Sequence, residues 1–483
     1  MFQRNPDRRR CPCQNLSDSG LAGETACEAA QDWHRPEHFR FVCPLIKTTP
    51  EGLRCSVDAR HVRPFWGRAS VFFAGGLFAC YLLFTIGAFT FLRLIGYPLS
   101  PVVLVWPPRW ADFPAARSEY YFAKAKKSLD EHRVNDAIFS LDIAYRSNTR
   151  NFTLGLQYAQ LLSLGQPDYA DAIFAKLMRE HPGQATVIAE AWYRSLMVHG
   201  RFAQIATLSS SRLIDDADRR PAWLHALFFA TRQLGNDAPL RALVSPPRKE
   251  LPTIYTALIN SELQIRQHKG AELLPGLTAE LPADAGPYGP YFQISRLTQL
   301  GHPNEAAAML GRYASANRLG QVDQLQLRLE ILSALGRTDV LRARLDQGSV
   351  NAPELDIICT FLVRHPDPAT LASLSRCVKR SKIAAEAANY PAFLAFYVTS
   401  TIGGDQDGMR DTAKILKDIA GSRVSRIESV ETYLKQAAAS GKIGAILPML
   451  PGLSMDMIYA LFDRFGAAVE QPTVTIRTSM PPK

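Results

Sequence analysis

The feature that most constrains this chain is an uncharged run at 69–92, ASVFFAGGLFACYLLFTIGAFTFL, which contains no proline. A helix rises about 1.5 Å per residue, so roughly 20 such residues cross the ~30 Å hydrocarbon core of a bilayer. Arg68 and Arg93 bracket the run, and Trp66, Tyr97, Trp106 and Trp110 are aromatics of the kind that settle at membrane interfaces. A buried helix of a soluble core rarely runs this long with nothing more polar than Thr and Tyr. A cleaved signal peptide begins nearer the N-terminus and has a shorter apolar core. The run therefore predicts one transmembrane helix over 69–96, acting as the signal anchor of a single-pass protein.

Flanking charge sets the expected orientation. Arg54, Arg60, Arg63 and Arg68 crowd the N-terminal side, whereas Arg109 and Arg117 are the nearest basic residues after Arg93. Positive charge stays inside, which predicts a cytoplasmic N-terminus and an extracytoplasmic C-terminal region at the cell membrane. Lys124, Lys126 and Lys127 soften that asymmetry. Gly75 and Ala79 form a small-xxx-small pair that lets two such helices approach closely, although pairs of this kind are common by chance.

At 483 residues, with 47% hydrophobic and 21% charged content, the chain exceeds one ordinary core and has the composition of a globular protein. A net charge of +10 would suit nucleic acid, but no dense run like Arg8-Arg9-Arg10 recurs, and basic residues interleave with acidic ones. Nucleic acid is accordingly not an expected partner. Of eight cysteines, Cys11, Cys13, Cys27, Cys43 and Cys55 precede the apolar run, Cys80 lies in it, and only Cys359 and Cys377 follow. The long C-terminal region is no disulfide scaffold, and packing must hold it.

Residues 1–68 form a cysteine-bearing head that also carries His34, His38 and His61. Zinc takes about four thiolate or imidazole ligands, usually offered as two close pairs. Cys11-Pro-Cys13 is one residue short of the usual spacing, and Cys43 and Cys55 are too far apart to pair, although Cys55 with His61 is a candidate. The favoured reading is a poorly ordered cytoplasmic head with reduced thiols and no metal site.

Residues 97–115 hold five prolines among apolar residues, which predicts an extended connector near the interface. Beyond it the pattern is one of helices of ten to sixteen residues, and the region 116–470 is expected to be all-α. Gly165, Gly200, Gly235 and Gly270 stand 35 residues apart, and Gly301 and Gly336 repeat that interval. Each ends a stretch such as QLLSLG, RSLMVHG or ATRQLG, where glycine past a helix adopts the left-handed conformation without a Cβ clash. The turn at His132-Arg133 precedes the series, and turns near Pro366, Gly404 and Gly441 extend it. A fixed period of this size predicts an α-solenoid of stacked helical pairs. Residues 471–483 read as a flexible tail.

The residues around these turns carry a resemblance. LGQPDYA at 164–170 recurs as LGHPNEA at 300–306, and NDAIFSL at 135–141 is similar to NEAAAML at 304–310. The chain here resembles the tetratricopeptide repeat, with Tyr121, Ala125, Ala137, Leu141 and Ala144 fitting one repeat and Tyr158, Ala170, Phe174 and Pro182 the next. The resemblance covers about 118–184 and more loosely 290–345; elsewhere only the period persists. It implies TPR-like helical hairpins whose groove holds a protein or peptide partner.

No Gly-rich phosphate loop, HExxH, GxSxG or paired CxxC occurs in the sequence. His181, His199 and His268 fall at helix ends, where they cap carbonyls or face solvent. Asp171 and Glu190 read as salt-bridged or solvated. Trp192, Tyr193 and Trp223 read first as inter-helix core, with some available to line a groove. No catalytic, cofactor-binding or metal residues are assigned, and no cofactor is expected. The expected function is a non-catalytic, membrane-anchored scaffold; the alternative is a transmembrane sensor with a metal-binding head.

Overall fold

The computed structural model describes residues 46–49, 52–55, 66–131, 133–245, 251–267, 270–281, 286–420, 427–441, 443 and 452–466. These are helical apart from one hairpin, in which β1 (Ile46–Thr49) pairs antiparallel with β2 (Gly52–Cys55) inside the stretch expected to lack order. The chain divides into two compact units between Asn148 and Thr149.

In the first unit, α1 (Trp66–Ile95) is long and apolar enough to cross a membrane, with mean hydropathy 2.0 over 70–95. Its large side chains point outward: Phe84 is 76% exposed and Leu94 82%. Its hydroxyls are satisfied internally, with Thr85 donating to the Leu82 carbonyl and Thr90 to that of Ile86, both at 2.9 Å. Gly96, at φ 99°, ends the helix, and the Tyr97 amide bonds back to the Leu92 carbonyl at 3.0 Å.

The proline-rich connector differs from expectation. It forms α2 (Pro101–Val105) and a 3-10 turn (Pro107–Asp112), because Pro101, Pro107 and Pro108 fall in first-turn positions where a missing N–H costs nothing. It also doubles back along α1. The Tyr81 hydroxyl, 14 residues before the end of α1, donates to the Val105 carbonyl at 2.8 Å. At about 1.5 Å per residue that contact lies ~21 Å from the end of the helix. Leu99, Val103 and Ala116 form a small core there with Leu92, Tyr97 and Phe113. The unit closes with α3 (Phe113–Asp130) and α4 (Val134–Ser147), whose Ala125, Ala137, Leu141 and Ala144 are buried, so the pair with the strongest repeat motif groups with α1.

The second unit begins with α5 (Phe152–Leu162), α6 (Pro167–Glu180), α7 (Ala185–Val198), α8 (Phe202–Asp215) and α9 (Arg220–Leu234). It continues with α10 (Ala238–Val244), α11 (Thr253–Arg266), α12 (Gly270–Thr278), α13 (Tyr288–Gln299), α14 (Pro303–Ser315), α15 (Gln321–Ala334) and α16 (Thr338–Gln347). Then come α17 (Ala352–Arg364), α18 (Pro368–Arg380), α19 (Tyr390–Gly403), α20 (Gln406–Ala420), α21 (Ile427–Ser440) and α22 (Met455–Phe465). Helices pack on their neighbours and, in several places, on the next but one: α5 on α7, α13 on α15, α15 on α17, α17 on α19.

Gly200, Gly235, Gly301 and Gly336 are left-handed, and the amide after each bonds the carbonyl five residues back, at 2.8–3.2 Å. Gly404 closes α19 in the same way, and Asn317 does so for α14 at φ 54°. Gly165 does not. There the Gln166 amide bonds the Leu162 carbonyl, and the last carbonyl of that turn, on Ser163, accepts from the His199 ring at 2.6 Å. A side chain from the next pair thus satisfies the helix end that glycine was expected to close. Gly270 opens α12 instead of standing past a helix.

Helix α22 is the irregular element. Capped by Ser454, whose hydroxyl accepts from the Met457 amide, it lies against helices far earlier in the chain. Phe462 meets Phe202 at 5.2 Å, Tyr459 meets Phe229 at 4.4 Å, and Arg464 donates to the Val363 carbonyl at 2.9 Å.

Candidate binding cavity

The second unit holds a cavity of about 750 Å³, within the range of ligand pockets. Its walls come from alternate helices, α5, α7, α9, α13 and α15, with α22 completing the enclosure. On each helix, spacings of three or four residues bring the lining side chains to one face: Glu190, Tyr193 and Arg194 on α7, Tyr288 and Tyr291 on α13, Asp456 and Tyr459 on α22.

The wall is a chain of aromatic contacts. Tyr193 packs edge-on against Trp223 at 5.8 Å and shares a hydrogen bond with the Tyr459 hydroxyl. Tyr459 lies 5.0 Å from the His225 ring, His225 lies 6.3 Å from Tyr288, and Tyr288 stacks with Tyr291 at 6.2 Å. Burial raises all four tyrosine hydroxyls above their ordinary pKa, so they remain protonated donors near neutrality. Burial, with the charges of Arg232, Arg296 and Arg364 added, pushes His225 down to about 3 and keeps its ring neutral.

The charged groups divide into committed and uncommitted. Glu190 pairs with Arg219, and Arg194 donates to the Leu453 carbonyl at 3.2 Å. Among the described residues neither Asp456 nor Asp323 is in an ion pair. Burial raises Asp456, Arg364 opposes that shift, and Asp323 adds to it. Burial also raises Asp323, against a hydrogen bond with the Gly320 backbone. Asp456 is an exposed lining residue, so the helices around it desolvate its carboxylate only in part. Behind the wall, burial lifts Asp356 to about 6, against a 3.2 Å bond from the Ser454 hydroxyl.

The residues singled out in sequence separate cleanly. Tyr193 and Trp223 line the cavity; Trp192 instead stacks on Phe174 at 6.1 Å and donates to Asp171 at 2.7 Å. Asp171 also pairs with Arg201 at 2.6 Å, and Arg201 with Asp168. His199 bonds a carbonyl, His181 stands against Phe152, and His268 lies outside the described residues. Tyr288, Tyr291, Asp323, Asp456, Tyr459 and His225 were not anticipated; the available signal was polar or aromatic residues recurring at three-residue spacing, as in Tyr288 and Tyr291, Asp323 and Gln326, and Asp456 and Tyr459.

Among the described residues no group of three or more His, Cys, Asp or Glu is placed to hold a metal ion. The candidate zinc ligands Cys11, Cys13, Cys43 and His61 lie outside the described residues, and Cys55 falls in β2. Comparison with protein families, curated proteins and solved structures finds no match for the chain.

Proposed function

We propose that this is a membrane-anchored, non-catalytic binding protein whose TPR-like helical unit holds a protein or peptide partner at the membrane surface. The observation that carries the reading is the aromatic cavity, formed where side chains of α5, α7, α9, α13, α15 and α22 converge. Its fixed aromatic walls suit recognition, and its Glu190–Arg219 pair is engaged internally.

The exposed apolar surface of α1 supports the anchor, which on this reading crosses the cell membrane once with the N-terminus in the cytoplasm. The doubled-back segment adds to it: Val102, Trp106 and Trp110 are exposed apolar side chains beside the middle of α1, suited to insertion as a short re-entrant hairpin. Tethering confines partner encounters to the membrane surface and raises effective concentration.

A photo-cross-linking amino acid at the exposed cavity residue Val187, in intact membranes, tests the binding role. One defined cross-linked partner is expected; no adduct above the untreated control overturns the reading. For orientation, Cys359 and Cys377 are buried and leave the background low in the second unit. An impermeant maleimide should label Tyr169→Cys in intact cells; labelling only after permeabilisation reverses the direction.

A further inference from the structure

We propose that the cavity is a site for an organic cation, an alkylammonium or guanidinium group held between Asp323 and Asp456 against the faces of Tyr288, Tyr291 and Tyr459. This rests on reading the helical unit as a binding module and adds the chemistry of what it binds.

Three independent observations converge. The first is space: about 750 Å³ accommodates a ligand with an apolar body as well as a charged head. The second is uncompensated charge. Two carboxylates on different helices, Asp323 and Asp456, line one cavity, Asp323 disfavours the ionisation of Asp456, and among the described residues neither forms an ion pair. Of the cavity's arginines, Arg219 is paired with Glu190, and Arg194 keeps its charge but is held to the Leu453 carbonyl and not to either aspartate. Two carboxylates lining one cavity repel each other, and a cation entering between them relieves that repulsion at both at once. The third is the wall. Tyrosine faces attract cations, and the effect grows when the cation is desolvated. Neutral His225 adds no repulsion.

An anion fares badly in the same place, because it meets two carboxylates and the negative faces of several rings. An uncharged ligand leaves both acids unmatched. A free amine and a Lys or Arg side chain of the partner supply the same cation, and the chemistry at the carboxylates is the same.

The test is titration calorimetry on the full chain in detergent micelles, with empty micelles as the blank. The probes are phenethylamine, its acidic counterpart 3-phenylpropionate, and a short N-acetylated, C-amidated alanine peptide carrying one lysine or one norleucine. Saturable binding of the amine, the lysine peptide or both is expected, with none by the acid or the norleucine peptide. Asp456→Asn should weaken binding at least tenfold and Asp323→Asn several-fold, with helical content and melting temperature recorded to confirm folding. Binding by phenethylamine alone assigns a small-molecule source, and binding by the lysine peptide alone a partner side chain. Equal affinity for the acid, no saturable binding by either cation, or unchanged affinity in folded Asp456→Asn overturns the proposal. If cation selectivity fails while the Val187 cross-link persists, the binding module stands and only its ligand chemistry falls; if both fail, both readings fall.

Discussion

Phe84 and Phe462 show how differently the two units treat the same side chain. Phe84, on α1, is 76% exposed; Phe462, on α22, is 1% exposed and wedged between Phe202 and Phe229. In the first unit apolar side chains face outward around a small core of Leu99, Val103 and Ala116. In the second they face inward in a continuous core running from Ala189 to Phe465. Helix formation is common to both. The difference lies in α1, whose apolar side chains are left outward, whereas the α3–α4 pair of the first unit and the whole second unit bury theirs.

That contrast can be broken directly. Phe462→Ala removes a buried ring and should cost about 3–5 kcal/mol of unfolding free energy, whereas Phe84→Ala should change it by less than about 0.5 kcal/mol. Denaturant titration of both variants in the same detergent checks the difference; equal effects would show that α1 is packed in a protein core. The second unit also carries a buried charge network with no counterpart among the described residues of the first unit's core. Glu262, 2% exposed, accepts from Arg266 at 3.0 Å and from Arg296 at 2.8 Å, and Arg266 reaches Asp237. Glu262→Gln keeps an acceptor and removes the charge, so a loss of about 2–3 kcal/mol is expected from the same titration.

The smallest effect is a gain that depends on pH. Asp356, lifted to about 6 by burial, holds its proton in the folded chain after an unfolded chain would have released it. Stability therefore falls as the pH rises from about 4 to about 6, and the charged carboxylate opposes folding above that window. Asp356→Asn should raise stability by about 1–2 kcal/mol at pH 7.5 and leave it unchanged at pH 4. Melting curves across pH 4–8 check this; a gain that is the same at every pH would point to packing instead of ionisation.

Local signals in the sequence were the readable ones. The uncharged run placed α1 to within a few residues, because transfer from water depends on each residue's own chemistry. Glycines past helix ends marked Gly200, Gly235, Gly301 and Gly336 correctly, since positive φ is a local demand. Gly165 escaped the rule because His199, a third of a hundred residues on, satisfies that helix end, and no local pattern encodes the contact. The connector misled for a related reason: its prolines forbid a long helix, but the fold-back depends on Tyr81 reaching Val105. Half of the cavity was invisible in the same way. Tyr193 and Trp223 stood out as aromatics, yet their partner Tyr459 lies on a helix whose placement only tertiary packing decides.

The position of α22 also imposes an order in time. The Tyr193–Tyr459 bond joins residues 266 apart, and Phe462 completes the packing of Phe202 and Phe229. Helices α5 to α9 can coil and pair as they leave the ribosome, because their contacts are close in sequence. Their inner face stays unfinished until α22 emerges, leaving aromatic surface uncovered through more than two hundred further residues of synthesis. At about 5–20 residues per second that interval lasts at least ten seconds or so, long enough for chaperones to engage the waiting face. Local helix pairing sets the early pace of folding, and one late, long-range docking step completes it.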